Sequence, residues 1–113
     1  MKRGTVVLAV LPFTDLTAQK HRPALIISPE SRAGHDVLLA FITPYKGEPL
    51  DPAELLISID DPDFSETGLK IASVLRLNKL FTLHKTLIIG KLGSLSPRLM
   101  DRVNECLRLA LAL

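Results

Sequence analysis

Two arginines and a threonine at the ends of apolar runs are the residues of this sequence best suited to phosphate chemistry. Arg22 precedes the run 24–28, Thr43 follows the run 37–42, and Arg76 lies late in a third run. A guanidinium presents a planar fork of donors that matches two phosphate oxygens, and a hydroxyl can donate to a third. Each residue also has an ordinary explanation: a solvated strand end for Arg22, a turn cap for Thr43, and a position facing water or a groove for Arg76.

Several common catalytic patterns are absent from the sequence. It contains no Gly-x-Ser-x-Gly turn, no glycine-rich phosphate loop and no two histidines at a metal-binding spacing. The histidines lie far apart along the chain, so we expect neither a metal site nor a cofactor. The single cysteine, Cys106, falls on the apolar stripe of a predicted helix, which favours a buried structural thiol over a nucleophile.

Short apolar runs bounded by Pro, Gly and Asp predict the strands that must hold the arginines and the threonine. They are residues 5–11, 24–28, 37–42, 55–59, 72–77 and 87–92. The polar segment 13–22 is predicted as a long loop, of a kind that is often functional, and segment 81–84 fits no pattern clearly. Short strands at this spacing predict a β-barrel that closes at the last strand.

The end of the chain predicts one amphipathic helix. Ser96 is a favoured N-cap residue, and Pro97 fits the first helical position, where no backbone donor is needed. Apolar residues then recur at spacings of three and four, at Leu99, Val103, Cys106, Leu107, Ala110 and Leu111. The sequence therefore predicts a mainly β fold with a C-terminal helix, and we expect residues 1–113 to form a single domain.

Composition and charge place the chain among globular proteins. Of its 113 residues, 47% are apolar and 23% are charged, which favours neither a disordered tail nor a membrane span. A net charge of +2 creates no long-range field for a polyanion, so RNA would bind a local patch. The single cysteine cannot form an internal disulfide, and the apolar start of the chain is too short for a signal peptide. Both features favour a cytoplasmic location.

Six segments, taken in order, resemble the MazF/PemK (Kid-like) toxin family. They are residues 11–16 (LPFTDL), 21–28 (HRPALIIS), 40–43 (AFIT), 67–77 (TGLKIASVLRL), 79–83 (KLFTL) and 91–96 (KLGSLS). The resemblance covers nearly the whole chain. No single segment is specific to the family, but the six in sequence are.

The resemblance implies an SH3-like β-barrel with a C-terminal amphipathic helix, a homodimer with RNA along its interface, and a cognate antitoxin that blocks the toxin. It also implies sequence-selective cleavage of single-stranded mRNA by 2′-hydroxyl attack, without a metal. On this resemblance Arg22 matches the family's essential arginine and Thr43 its threonine, while Arg76 matches the arginine of a later Arg-x-Asp pair. We expect the three residues to stabilise the charged phosphorane.

The acidic residue of that later pair is replaced by Asn78 in this chain. An amide can orient a hydroxyl through hydrogen bonds but cannot take its proton, so a base for RNA cleavage must lie elsewhere. His21 is one candidate, because an imidazole titrates near neutrality. Arg22 is another, although its pKa above ~12 makes it a poor base.

Further RNA contacts are expected from the residues around these, namely Phe13, Thr14, Lys20, Tyr45 and Asn78. Phe13 and Tyr45 offer rings on which unpaired bases can stack. A second hypothesis is a non-catalytic barrel that binds RNA or poisons a protein target such as a topoisomerase, which Asn78 and the low net charge favour.

A purely structural barrel is a third hypothesis, and it makes a geometric prediction. It gives no reason for Arg22, Thr43 and Arg76 to lie together, whereas a phosphate site needs all three within reach of one ligand.

Overall fold

The computed structural model describes residues 1–11, 20–30 and 34–113, with Lys20 described through its backbone alone. Six strands form one sheet: β1 (Thr5–Leu11), β2 (Lys20–Ile26), β3 (Asp36–Pro44), β4 (Glu54–Ile57), β5 (Ser73–His84) and β6 (Ile88–Ser94). Short 3₁₀ turns at Ser65–Thr67 and Lys85–Leu87 precede β5 and β6, and the helix α1 (Pro97–Leu111) ends the chain. The mainly β class with a C-terminal helix is confirmed.

The strands pair antiparallel in the order β4-β5-β3-β2-β1-β6. β4 and β6 stand at the two ends of this order, so the sheet stays open where the sequence predicted a closed barrel. β1, with the apolar sequence TVVLAVL, pairs with both β2 and β6 and is almost fully buried. The site residues lie toward the other end of the sheet, on β2, β3 and β5.

Two strands are longer than their apolar runs predicted. β2 begins at Lys20, opposite Leu11 of β1, so His21 and Arg22 belong to a strand and not to the predicted loop. Pairing with β1 satisfies the backbone N–H and C=O groups of these residues whatever their side chains are. A prediction based on the pattern of polar and apolar side chains therefore does not detect this part of the strand. β5 likewise continues to His84, because residues 80–84 pair with the first half of β3.

The two faces of the sheet carry separate apolar clusters. One face packs against α1 and includes Val6, Leu25, Ala40, Ile42 and Leu75 with the helix residues Leu99, Val103, Cys106 and Leu107. The opposite face, which we call the pocket face, includes Val7, Ala9, Leu11, Ala24, Ile26, Leu39, Phe41 and Phe81. Burying both faces explains why the strands read as nearly continuous apolar runs.

A bulge interrupts the pairing of β5 with β3. Phe41 pairs with Arg76, but the preceding residue, Ala40, pairs with Leu80, so residues 77–79 have no partner on β3. The backbone N–H of Leu77 donates instead to the carbonyl of Ala53, at 3.2 Å, next to β4. An extra segment of this kind bends a strand and changes which side chains share a face.

The helix begins as the sequence predicted. The Ser96 hydroxyl oxygen accepts a hydrogen bond from the Leu99 N–H at 3.2 Å and donates one to Asp63 Oδ2 at 2.7 Å, and Pro97 follows as the first helical residue. Arg98 forms ion pairs with Asp61 and with Asp63. The apolar stripe is buried as far as Leu107, whereas Leu111 in the last turn is exposed.

Cys106 is buried in the core, which confirms the structural role predicted for it. Loss of solvation raises the pKa of its thiol, so the reactive thiolate is disfavoured at neutral pH. Within the described ranges, no helix is both long and apolar enough to cross a membrane.

Candidate phosphate-binding site

Arg22 and Thr43 lie beside each other on neighbouring strands. The ladder between β2 and β3 ends at the pair of Ala24 with Phe41, two residues from Arg22 on β2 and two residues from Thr43 on β3. Arg22 and Thr43 line the same pocket. Residues two apart on a strand share a face. Both side chains therefore lie on the pocket face, next to Phe41.

Arg76 reaches the same face from β5, where it pairs with Phe41 on one side and with Glu54 of β4 on the other. Its Nε donates a hydrogen bond to Thr43 Oγ1 at 2.9 Å. Its two terminal nitrogens donate to Glu54 and, at 3.2 Å, to Glu48 Oε2. The guanidinium is thus fixed in plane and position, and only 17% of the Arg76 side chain is exposed.

These side chains line a depression of about 510 Å³, which we call the arginine pocket. Its lining consists of Leu11, Arg22, Phe41, Ile42, Thr43, Pro44, Lys46, Glu48 and Arg76. The volume lies within the ~300–1,000 Å³ typical of small-molecule sites. The structure therefore brings together the three residues that the sequence singled out for phosphate chemistry, at the end of an otherwise apolar face.

The pocket keeps cationic groups available for a ligand. In the part of the chain that the structure describes, neither the exposed Arg22 guanidinium nor the Lys46 ammonium forms an ion pair. Arg76 is shared between two carboxylates, but it lines the pocket and is held in place by Thr43. An anionic ligand would therefore meet the exposed guanidinium of Arg22 and the guanidinium of Arg76, which is already positioned.

Two glutamates at the site were missed by the sequence reasoning. Glu54 is nearly buried beside Arg76, and Glu48 is about one-third exposed at the pocket rim. The signal for Glu54 was available, because a lone arginine in an apolar strand needs a carboxylate partner and β4 offers one. Glu48 lies in a polar connection with no periodicity, and nothing in its spacing singles it out.

Hydrogen bonds favour the ionised form of Glu48. The backbone N–H of Lys46 donates to its Oε1 at 2.8 Å, and this bond contributes most to holding the pKa of the carboxyl below its ordinary value of 4.5. The backbone N–H of Glu48 itself and the Arg76 guanidinium act in the same direction, while partial desolvation opposes them.

Several predicted site residues lie away from the arginine pocket. His21 is exposed and pairs with Val10 of β1. Because it directly precedes Arg22 on β2, its side chain lies on the face of the sheet opposite to the pocket face. Asn78 is exposed within the β5 bulge and does not line the pocket. Tyr45 is half-buried, and its backbone N–H donates to the Ala72 carbonyl at 3.0 Å. In the sequence it stands between Pro44 and Lys46, which line the pocket, but Tyr45 itself does not line it.

The remaining predicted RNA contacts precede Arg22 in the sequence. Phe13 and Thr14 lie outside the described residues. Lys20 starts β2 opposite Leu11, a pocket-lining residue, which sets its backbone near the arginine pocket. Across residues 1–11, 20–30 and 34–113, no group of three or more His, Cys, Asp or Glu residues is placed to hold a metal ion.

Comparisons with known proteins agree on one family and one fold. A family model described as "PemK-like, MazF-like toxin of type II toxin-antitoxin system" matches residues 2–111. A comparison with curated protein sequences found no match.

Solved structures share the fold over almost their whole length. An endoribonuclease in complex with its cognate antitoxin, from a mycobacterial species, is 23% identical with a TM-score of 0.77, covering 100% of this chain and 96% of that one. The Mycobacterium tuberculosis toxin MazF-mt6 is 21% identical with a TM-score of 0.74, covering 96% and 97%. MazF from Deinococcus radiodurans is 17% identical with a TM-score of 0.74, covering 100% and 97%.

Proposed function

Because this chain belongs to the PemK-like, MazF-like toxins of type II toxin-antitoxin systems, we propose that it is an endoribonuclease that cleaves single-stranded mRNA at selected sequences. The observation that carries the proposal is the arginine pocket, where Arg22, Thr43 and Arg76 converge although they come from three strands. A solved relative with the same fold is itself an endoribonuclease. The proposed site of catalysis is the arginine pocket.

The three residues take complementary roles in the proposed reaction. The ribose 2′-hydroxyl attacks the adjacent phosphorus, and the pentavalent phosphorane gains negative charge as it forms. The planar guanidinium of Arg22 donates to the equatorial oxygens, and Arg76 adds a second positive charge. The Thr43 oxygen already accepts a bond from Arg76, so its own proton is free to donate to the phosphate.

Bond breaking completes the proposed reaction. The bond from phosphorus to the 5′ oxygen breaks, leaving a 2′,3′-cyclic phosphate on one fragment and a 5′-hydroxyl on the other. A base for the 2′-hydroxyl and donors for the phosphorane are sufficient for this chemistry, and protein side chains supply both. The proposal therefore assigns no role to a metal or cofactor.

RNA on either side of the scissile phosphate would extend along the strand ends around the pocket. We keep as proposed RNA contacts the residues Phe13, Thr14, Lys20, Tyr45 and Asn78, and His21 as a proposed contact beside Arg22. Phe41 lines the pocket itself and offers a ring edge or face to a base next to the cleaved phosphate.

Two protein partners belong to the proposal. One solved relative is bound to its cognate antitoxin, and we propose that a cognate antitoxin binds and blocks this chain as well. We also propose a homodimer, since exposed Ile71 and Leu92 line a second, mainly apolar depression of about 350 Å³ beside Arg22. The proposed site of action is the cytoplasm, where mRNA is translated.

One observation favours a second function, RNA binding without cleavage or the poisoning of a protein target. Glu48 and Glu54 both pair with Arg76 and cancel part of the positive charge that a phosphorane needs. If neither carboxylate moves when RNA binds, Arg22 is left as the main phosphate ligand, which is enough for binding but weak for catalysis.

The test is incubation of the purified protein with long single-stranded RNA in EDTA, followed by identification of the fragment ends. We expect cyclic phosphate and 5′-hydroxyl ends from the unmodified protein, and a loss on the order of 10²–10³ in rate for Arg22→Ala. Arg102→Ala, which removes an exposed arginine on α1, is the matched control and should cleave normally. Intact RNA across many sequences would instead support the binding function.

A further inference from the structure

The proposed reaction needs a proton acceptor, and the position that the family resemblance assigns to it holds an amide. Asn78 lies two residues after Arg76, a spacing that would place both on one face of a regular strand. The bulge at residues 77–79 breaks that alternation, and Asn78 is exposed outside the arginine pocket. Even an acid at position 78 would not line the pocket, so the base must come from another element.

Among the residues that the structure describes, two carboxylates form ion pairs with Arg76, and their surroundings differ. Glu54 has 9% of its side chain exposed, and both of its oxygens are engaged, one by Arg76 and the other by the Asp51 N–H at 2.8 Å. It does not line the pocket. Its geometry is that of a group that fixes the Arg76 guanidinium.

Glu48 is placed differently. It lines the pocket, 34% of its side chain is exposed, and its Oε2 meets Arg76 through one contact of 3.2 Å, near the long limit for a charge-assisted hydrogen bond. Its Oε1 is held by the Lys46 N–H, which anchors the carboxylate at the rim while leaving Oε2 free to turn. Glu48 is thus the described carboxylate that can reach a ligand without breaking a buried pair.

From this arrangement we propose that Glu48 is the general base of the reaction, a conclusion that rests on the proposed ribonuclease function. A phosphate oxygen of the RNA replaces Glu48 Oε2 at the terminal nitrogen of Arg76, and the released oxygen faces the neighbouring 2′-hydroxyl. The O–H bond of that hydroxyl breaks and its proton passes to Glu48. The 2′ oxygen bonds to phosphorus, the bond to the 5′ oxygen breaks, and that oxygen takes a proton from solvent water. Glu48 then returns its proton to the hydroxide left behind, which restores the carboxylate.

The electrostatics of the pocket fit this exchange. The hydrogen bond from the Lys46 N–H, with a smaller contribution from Arg76, lowers the pKa of the Glu48 carboxyl and so favours its ionised form. When phosphate takes over the Arg76 contact, Glu48 loses one of these stabilising partners and gains an anionic neighbour. Both changes raise its affinity for a proton at the moment when the 2′-hydroxyl must release one.

The same pairing gives Glu48 a role in substrate selection. The negative charge of Glu48 at the rim opposes the binding of an anion to Arg76. A ligand that also carries a hydroxyl group can donate a hydrogen bond to Glu48 and offset this repulsion, so binding favours such a ligand. Ribose has a hydroxyl at that position and deoxyribose does not. The proposal therefore predicts that RNA and DNA of one sequence differ in how their binding depends on Glu48.

The experiment compares Glu48→Gln with the unmodified protein in single-turnover cleavage of RNA and in binding of the same RNA carrying a 2′-deoxy nucleotide at the cleavage position. Glu30→Gln, which changes an exposed carboxylate away from the pocket, is the matched control. We expect Glu48→Gln to cleave 10²–10⁴-fold more slowly, a range typical of a lost general base, and to bind the deoxy RNA as tightly or more tightly. Glu48→Ala with added formate should recover part of the rate.

The outcomes separate this proposal from the function on which it rests. RNA left intact by the unmodified protein would remove both. Cleavage by Glu48→Gln at the normal rate would overturn the role of Glu48 and leave the ribonuclease function standing. A faster Glu48→Gln would show that the carboxylate only neutralises Arg76, and equal losses in cleavage and binding, with no formate rescue, would show a structural role. Either result overturns the proposal.

Discussion

Arg76 Nε donates a 2.9 Å hydrogen bond to Thr43 Oγ1, joining side chains from β5 and β3 that lie 33 residues apart in the sequence. The bond has two effects. It fixes the plane of the guanidinium, and it occupies one lone pair of the hydroxyl oxygen so that the hydroxyl proton points elsewhere. A threonine that looks like a turn cap in the sequence is therefore a link between an arginine and the pocket.

The first prediction tests that link. Thr43→Val removes both the acceptor for Arg76 and the proposed donor to phosphate while keeping the β-branched shape, and we expect roughly a 10²-fold loss of RNA cleavage. Thr43→Ser keeps the hydroxyl and should retain most of the activity. The measurement is single-turnover cleavage with both variants. Equal activity of the valine and serine variants would remove Thr43 from the site.

The second prediction concerns Glu54, the nearly buried ion-pair partner of Arg76. Glu54→Gln leaves a mostly buried guanidinium with a weaker neutral partner, and we expect the free energy of unfolding to fall by about 1–3 kcal/mol. Urea denaturation measures this change. Glu105→Gln is the control, because Glu105 pairs with Arg108 on the exposed side of α1, where such pairs contribute little. Similar losses in the two variants would contradict a buried role for Glu54.

The third prediction concerns two glycines that bring the 3₁₀ turn at Ser65–Thr67 against β6. A Cβ on Gly68 would overlap the carbonyl of Leu92, and one on Gly93 would overlap the backbone of Glu66 and Thr67. Gly68 also has a φ of +73°, which disfavours any other residue. We expect Gly68→Ala and Gly93→Ala each to cost at least about 2 kcal/mol of stability, because backbone cannot move aside easily.

Two other glycines supply the controls for that prediction. Gly90 has open space around it, so Gly90→Ala should leave the thermal midpoint nearly unchanged. Gly47 has a φ of +84° but no close neighbour, so Gly47→Ala isolates the conformational cost, about 1 kcal/mol, from the steric one. Thermal unfolding of the four variants should rank Gly90 mildest, then Gly47. Any other order would argue against the close approach of turn and strand.

The fourth prediction is a pH dependence of stability. The Ser96 hydroxyl, and to a smaller extent Arg98, lower the pKa of the Asp63 carboxyl from its ordinary value of 3.8. A depressed pKa in the folded state adds stability above the ordinary value, and this stability is lost as the pH falls through the lower folded value. Asp63→Asn should therefore be less stable than the unmodified protein at pH 7, and the difference should shrink below about pH 4. Urea midpoints across this range measure it, and a constant difference would contradict the assignment.

Much of the fold could be predicted because its signals are local. A short apolar run marked each of the six strands, and most runs ended at or next to proline, aspartate or glycine. Ser96 with Pro97 marked the start of α1, since capping depends on a few adjacent residues. The prediction failed where pairing overrides polarity. His21 and Arg22 became strand residues because β1 satisfies their backbone groups, whatever their side chains are.

The sequence by itself singled out Arg22, Thr43 and Arg76 as candidates for phosphate chemistry, because these residue types and their places in or beside apolar runs can be read from the chain. The tertiary structure decided which carboxylates join them. Strand periodicity tells which face a side chain occupies but not which strand lies beside it. The order β4-β5-β3-β2 set Glu54 beside Arg76 and let the connection after β3 bring Glu48 to the same guanidinium, while a three-residue bulge moved Asn78 out of the row. Such partners are fixed by long-range pairing and by a local break in alternation, and neither leaves a pattern in the sequence.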